Sequence, residues 1–110
     1  MSYQSIKKLS IIIPVYNEDK TVSLMLDKLK AIKLINNIQK EVIVVNDSSF
    51  DNTETCILAY KSGNPEMDIK YFKHHNNQGK GKALQTGIQK VTGEALIIQD
   101  ADLEYNPKDF

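Results

Sequence analysis

The 110-residue chain contains no arginine and one cysteine, Cys56, and its 14 lysines are matched by 14 acidic residues. Without a second cysteine there is no internal disulfide, so a reducing, cytoplasmic setting is expected. Without a basic excess, charge gives no argument for nucleic acid as a partner, and none is expected. The polar start, Met1 to Lys8, is not a signal peptide, and the apolar run after it, Leu9 to Val15, is interrupted by Pro14. No apolar run approaches the roughly 20 residues of a membrane span. Two phosphate-binding signatures are missing as well. There is no G-x-x-x-x-G-K-S/T loop, and no G-x-G-x-x-G follows the first apolar run. No histidine stands in a recognisable pattern with Cys56 or a serine, so nothing supports nucleophilic catalysis.

What is present is ordinary globular composition, 41% hydrophobic and 25% charged, sufficient for one compact domain. Leu9–Val15 and Glu41–Val45 are short, β-branched apolar runs that read as buried parallel strands. Ile69–Lys73 reads as a third, more exposed strand, and Glu94–Gln99 as a fourth. Asn17–Glu18–Asp19 supplies helix-start chemistry for a first helix with Val22, Met25, Leu26, Leu29 and Ile32 at helical spacing. Ser49 or Asp51 is placed to cap a second helix carrying Thr55, Leu58 and Ala59, which Gly63–Asn64–Pro65 ends. A third helix carries Ala83, Leu84, Gly87, Ile88 and Val91. The order β-α-β-α-β-α-β, with connections long enough for crossover helices, predicts a three-layer α/β/α fold. Its sheet should be open and parallel, with about four strands. Residues 1–110 are expected to be one unit, stopped before a further part.

In such a sheet ligands bind outside the carboxyl ends of the strands. Glu18, Asp47, Asp100 and Asp102 all fall there. Four carboxylates on one rim repel each other unless something positive sits among them, which a hard divalent cation would satisfy. Asp100 and Asp102 are alternate residues on an extended segment and point the same way. Each residue also has a plainer reading: Asp47 as a turn former, Glu18 as a favourable charge at a helix start, Asp100–Ala101–Asp102 as a polar strand end. Gly79–Lys80–Gly81–Lys82 can bring backbone N–H groups to an anion at a helix start, or be a flexible turn with solvated lysines. His74 and His75 read as solvated strand-end residues, and Cys56 as a small core residue.

Four segments together resemble glycosyltransferase family 2. They are Ile13–Pro14–Val15–Tyr16–Asn17–Glu18, Val44 to Thr53, Asn77 to Ala83 with Gly87, and Asp100–Ala101–Asp102 through Pro107. The loop and the proline are most similar to the polyprenyl-phosphate mannose and glucose synthases. The resemblance implies the Rossmann-like half of a GT-A fold, truncated before the acceptor half that carries the general base. It implies a UDP- or GDP-linked sugar donor and Mg²⁺ or Mn²⁺. Pro14, Val15, Tyr16 and Glu18 would line the nucleoside pocket, and Asp47 would hydrogen-bond the base or ribose. Asp100 and Ala101 would lie by the ribose or the metal-bound water, Asp102 would ligate the metal, and Lys80 would approach phosphate. The acceptor would be a species such as polyprenyl phosphate, at the cytoplasmic face of a membrane in a longer chain.

Two departures bear on this. The family's second strand often ends in two aspartates and Gly-Ser; here it ends Asn46–Asp47–Ser48–Ser49. Ser48 puts in doubt a turn that needs positive φ. The missing acceptor half predicts donor binding with little or no turnover, and leaves apolar surface able to drive a homodimer. The alternative is a non-catalytic nucleotide-binding or scaffolding domain. A sugar-phosphate nucleotidyltransferase would want a glycine- and arginine-rich loop after the first strand, which the sequence lacks.

Overall fold

The computed structural model describes residues 6–32 and 37–100. The elements run β1 (Lys8–Val15), α1 (Val22–Ala31), β2 (Gln39–Asn46), α2 (Thr53–Gly63), β3 (Asp68–Lys73), α3 (Lys80–Lys90) and β4 (Ala95–Ile98). The four strands form one sheet in the order β3-β2-β1-β4, and every neighbouring pair is parallel. The chain is an α/β fold of the expected kind.

Topology follows from handedness. The chain steps from β1 to β2 to β3 in one direction, and α1 and α2 lie together on one face. It then turns back past both strands to place β4 beside β1. A right-handed crossover in the reverse direction must carry its helix over the opposite face. That helix is α3. The two cores record this division. Ile11, Ile13 and Val15 of β1 pack with Val22, Met25, Leu26 and Leu29 of α1 and Ile57 of α2. Ile43 and Val45 of β2 pack with Ala83 of α3 on the other side. Alternate residues of one strand thus feed opposite cores, as the pleat requires. Gly87 lets α3 approach closely: a Cβ there would lie 2.5 Å from Ile12 Cγ2.

Several helix details differ from the sequence reading. Helix α1 starts at Val22, with Thr21 at its N-cap. Asn17, Glu18 and Asp19 form a loop before it, with Asn17 at φ 54°. The buried face of α2 is Thr53 and Ile57, while Thr55, Leu58 and Ala59 face solvent. The N-cap is Asn52, with no side-chain capping bond, and Asp51, one of the two expected caps, accepts from the Thr53 amide at 2.9 Å through Oδ1. Ile32 and Ile88, expected on buried faces, are each 46% exposed. Ile32 sits beyond the last turn of α1, and α3 packs on β1 and β2 through its small residues Ala83 and Gly87.

At the lower end of the sheet lies a fully buried carboxylate, Glu41. It accepts from Ser10 Oγ at 2.5 Å, from the Thr92 amide at 2.7 Å and hydroxyl at 2.9 Å, and from the Lys70 ammonium. Burial opposes its ionisation, but those donors outweigh it and hold its pKa well below the usual carboxylate range. The network ties β1, β2, β3 and the α3–β4 turn at one point. No helix among the described residues is long and apolar enough to cross a membrane.

Candidate functional site

The chain's direction reverses at β1, and the crevice this leaves opens at the carboxyl ends of β1 and β4. A pocket of about 410 Å³ occupies that rim, lined by Pro14, Val15, Tyr16, Glu18, Asp47, Asn77, Gly79, Lys80, Ala83 and Asp100. Seven of the residues singled out from the sequence therefore meet in one cavity. Ala101 and Asp102 lie outside the described residues. Gly79 belongs to the loop expected to meet an anion, Ala83 was expected only on the face of the third helix, and Asn77 carried no assigned role.

Two loops frame one wall. The loop after β1 and the loop after β2 are laced together: the Asn17 amide donates to Ser49 Oγ at 2.8 Å and the Phe50 amide to Asn17 Oδ1 at 3.0 Å. The Glu18 amide donates to Thr53 Oγ1 at 2.8 Å. This lacing explains why Asn17–Asp19 does not begin a helix, since its polar groups satisfy the neighbouring loop. It also sets Tyr16 edge-to-face against Phe50, with ring centroids 6.2 Å apart. Ser48 adopts φ 64°, so the turn takes its left-handed conformation without glycine. Asn46 is fully buried and holds that turn: its Oδ1 accepts from the Ser49 amide and hydroxyl, and its Nδ2 donates to Tyr71 Oη.

Of the four rim carboxylates, Glu18, Asp47 and Asp100 line this pocket, and Asp102 lies outside the described residues. Among the described residues, no group of three or more His, Cys, Asp or Glu is placed to hold a metal ion. Each of these three carboxylates has a hydrogen-bond donor of its own. Glu18 Oε2 accepts from Thr21 Oγ1 at 2.9 Å. Asp100 Oδ2 lies 2.8 Å from Lys80 Nζ, both side chains being half-exposed. Asp47 turns inward. Its Oδ1 accepts from His74 Nδ1 at 2.8 Å and from the Gln78 amide at 2.9 Å, and its Oδ2 accepts from the Gly79 amide at 2.8 Å. Burial works against its charge, but the His74 hydrogen bond and the two amides prevail and lower its pKa.

His74 is thus not the solvated strand-end residue its sequence position suggests; it is buried, while His75 is exposed. Its Nε2 meets Thr86 Oγ1 of α3 at 2.8 Å, and its amide donates to the Asn46 carbonyl at 2.9 Å. The available signal was its position at the carboxyl end of β3, on the same rim as Asp47. Gly79, at φ 95°, caps α3 without any side-chain hydrogen bond. The start of α3 beside the pocket, with Lys80, is therefore suited to an anion.

The profile of glycosyl transferase family 2 matches residues 10–110. The chain is 36% identical to an undecaprenyl-phosphate 4-deoxy-4-formamido-L-arabinose transferase of Photorhabdus laumondii, over all of this chain and 34% of that protein. A Yersinia pestis protein of the same name is 34% identical over 97% of the chain and 32% of its own length. The chain thus spans about a third of the curated relatives it matches. Among solved structures, the mannosyltransferase PcManGT from Pyrobaculum calidifontis, in complex with GDP-Man and Mn²⁺, superposes with a TM-score of 0.82 at 27% identity. That match covers 90% of this chain and 28% of PcManGT. S. aureus TarS in complex with UDP-GlcNAc gives 0.76 at 28% identity, covering 86% and 26%.

Proposed function

The chain belongs to glycosyl transferase family 2, and from that premise we propose that it is the donor-binding part of an inverting, metal-dependent transferase of sugars from nucleoside diphosphates. The observation that carries this is the pocket at the carboxyl ends of the strands, where Pro14, Val15, Tyr16, Glu18, Asp47, Lys80 and Asp100 meet. An apolar wall beside a few convergent polar groups suits a nucleoside. The open start of α3 and the Lys80 ammonium suit its diphosphate.

Asp100 offers a hard, half-exposed oxygen donor at the mouth. With Asp102, it would hold Mg²⁺ or Mn²⁺. Such ions are commonly bound by one or two carboxylates and completed by substrate phosphates, so two carboxylates suffice. When bound, the ion supplies positive charge against the leaving diphosphate. The protein's own part is to seat the nucleoside against Tyr16 and Asp47 and to present the anomeric carbon beyond the rim. Lys80, paired with Asp100, can instead meet phosphate when the donor binds.

The curated relatives act on undecaprenyl phosphate by name, which supports a polyprenyl phosphate acceptor and action at a membrane face. An ionised phosphate oxygen needs no general base, so the reaction asks of the rest of the protein mainly acceptor positioning. The isolated chain would bind donor without turnover. Ser48 keeps the turn geometry the family draws from glycine, so this departure gives no support to a degenerate, non-catalytic pocket.

Calorimetric titration with UDP and GDP, with and without Mn²⁺, tests the reading. Metal-dependent binding of a nucleotide, lost in Asp102→Ala, is expected. A folded chain that binds neither nucleotide would refute it.

A further inference from the structure

Asn46, the last residue of β2, is fully buried, and the two ends of its amide are used differently. Its Oδ1 accepts from the Ser49 amide at 3.0 Å, a group that only donates, so Nδ2 is the atom that faces Tyr71 Oη at 2.9 Å. Nδ2 only donates, so Tyr71 Oη accepts there and its own proton goes elsewhere. It goes to Glu54 Oε2 of α2 at 2.8 Å, while Lys73 Nζ lies 3.3 Å from the other oxygen of that carboxylate. Burial and the Glu54 carboxylate, opposed by Asn46, push the Tyr71 hydroxyl up to about 12, so it keeps that proton at neutral pH. On the other side, Ser49 Oγ donates to Asn46 Oδ1 at 2.6 Å and accepts from the Asn17 amide at 2.8 Å. Every bond from Asn17 through Ser49, Asn46 and Tyr71 therefore points one way, toward Glu54.

The far end of this relay is a wall of the pocket. Asn17 sits at φ 54° between Tyr16 and Glu18, which both line the pocket. Left-handed backbone at a residue other than glycine persists only where its surroundings hold it. Glu54 and Tyr71 do not line the pocket themselves. Resting on the donor-site reading above, we infer that Glu54 and Tyr71 are positioning residues for the nucleotide. Through Asn46 and Ser49 they hold the Tyr16–Glu18 wall in place, and the charge of Glu54 sets the direction of the whole relay. Position 46 must then both accept and donate, as asparagine does. Aspartate has the same shape but only accepts. With it, two carboxylates would face the one Tyr71 proton, and a buried acceptor would be left unpaired. Glutamine at position 54 resolves that conflict. Its amide can donate to Tyr71 Oη, whose proton then turns to the carboxylate at position 46.

The test is titration of the chain with UDP and GDP in Mn²⁺, on wild type, Glu54→Gln, Asn46→Asp and the variant carrying both, with a thermal melt of each. Asn46→Asp should weaken nucleotide binding about tenfold. Glu54→Gln should weaken it a few-fold in the wild-type background, because a neutral acceptor holds the Tyr71 hydroxyl less firmly than a charged one. In the Asn46→Asp background the same substitution should strengthen binding several-fold. That reversal of sign is the signature of a directional relay. A Glu54→Gln effect of the same sign in both backgrounds overturns the inference and leaves the donor site standing. So do melting midpoints that shift while the folded variants keep the wild-type affinity, since these residues would then support the fold alone. If Asn46→Asp does not fold, Tyr71→Phe decides. With the relay cut, adding Glu54→Gln should no longer alter affinity, and an effect as large as in wild type overturns the inference. Binding of neither nucleotide by folded wild type sinks the donor-site reading and this role with it.

Discussion

Replacing Glu41 by glutamine should destabilise the protein strongly and leave nucleotide binding untouched. The carboxylate accepts from Ser10, from the amide and hydroxyl of Thr92, and from Lys70, while fully buried. Glutamine has one oxygen, and its amide nitrogen only donates. With that nitrogen at the Oε2 position it faces Ser10 Oγ, which can turn to accept, and the Thr92 N–H, which cannot. At the Oε1 position it faces the Lys70 ammonium. Either way one donor is stranded, at about 1–3 kcal/mol, and the charge-assisted bond to Lys70 weakens. The sum is about 2–4 kcal/mol, a large share of the 5–15 kcal/mol typical of a domain. A domain of this size should lose roughly 10–25 °C in Tm. The pH dependence supplies a second readout. Because the folded-state pKa lies below the ordinary 4.5, this stabilisation is present above that value and is lost as pH falls below it. The gap between wild type and Glu41→Gln should therefore be full at pH 7 and narrow below about pH 4. Thermal melts at pH 7, 5 and 3.5 measure it. A variant within about 0.5 kcal/mol of wild type at pH 7, or a gap that does not narrow in acid, would refute the reasoning. Nucleotide affinity should not change, since Glu41 sits at the end of the sheet opposite the pocket.

Gly87→Ala should lower stability by about 1 kcal/mol. Overpacking against the fully buried Ile12 costs about 1–3 kcal/mol, against about 1 kcal/mol of helix propensity gained; a rise in Tm would show that α3 has room to move. The same shift of α3 displaces Gly79 and Lys80, so nucleotide affinity measured by titration should fall several-fold. Ser48→Gly should stabilise by about 0.5 kcal/mol, since it relieves about 1–2 kcal/mol of left-handed strain and adds about 0.5–1 kcal/mol of unfolded-chain entropy. A chemical denaturation midpoint that falls instead would show that the serine hydroxyl matters to the turn.

The sequence by itself determined the order of elements, the parallel sheet and the end of the sheet where the candidate site residues meet. These follow from local quantities. Apolar β-branched runs mark strands, long connections impose crossovers, and polar residues directly after strands must share one rim. The four motif segments carried the family as well, because motif and spacing are linear properties. Tertiary structure decided how each side chain is used. Leu58 and Thr55 were placed on the wrong face of α2 because the buried face is chosen by packing against β1 and α1, where Ile57 sits. Glu41 looked like the start of a strand, and its partner Thr92 lies 51 residues away. His74 looked solvated, since nothing nearby in sequence shows that α3 will close over it with Thr86. The rim carboxylates carry negative charge in any one-dimensional reading. Only folding revealed that Asp47 accepts from His74 and the loop before α3, Glu18 from Thr21, and Asp100 from Lys80. Hydrogen-bond satisfaction is a property of distances in space, which no one-dimensional reading supplies.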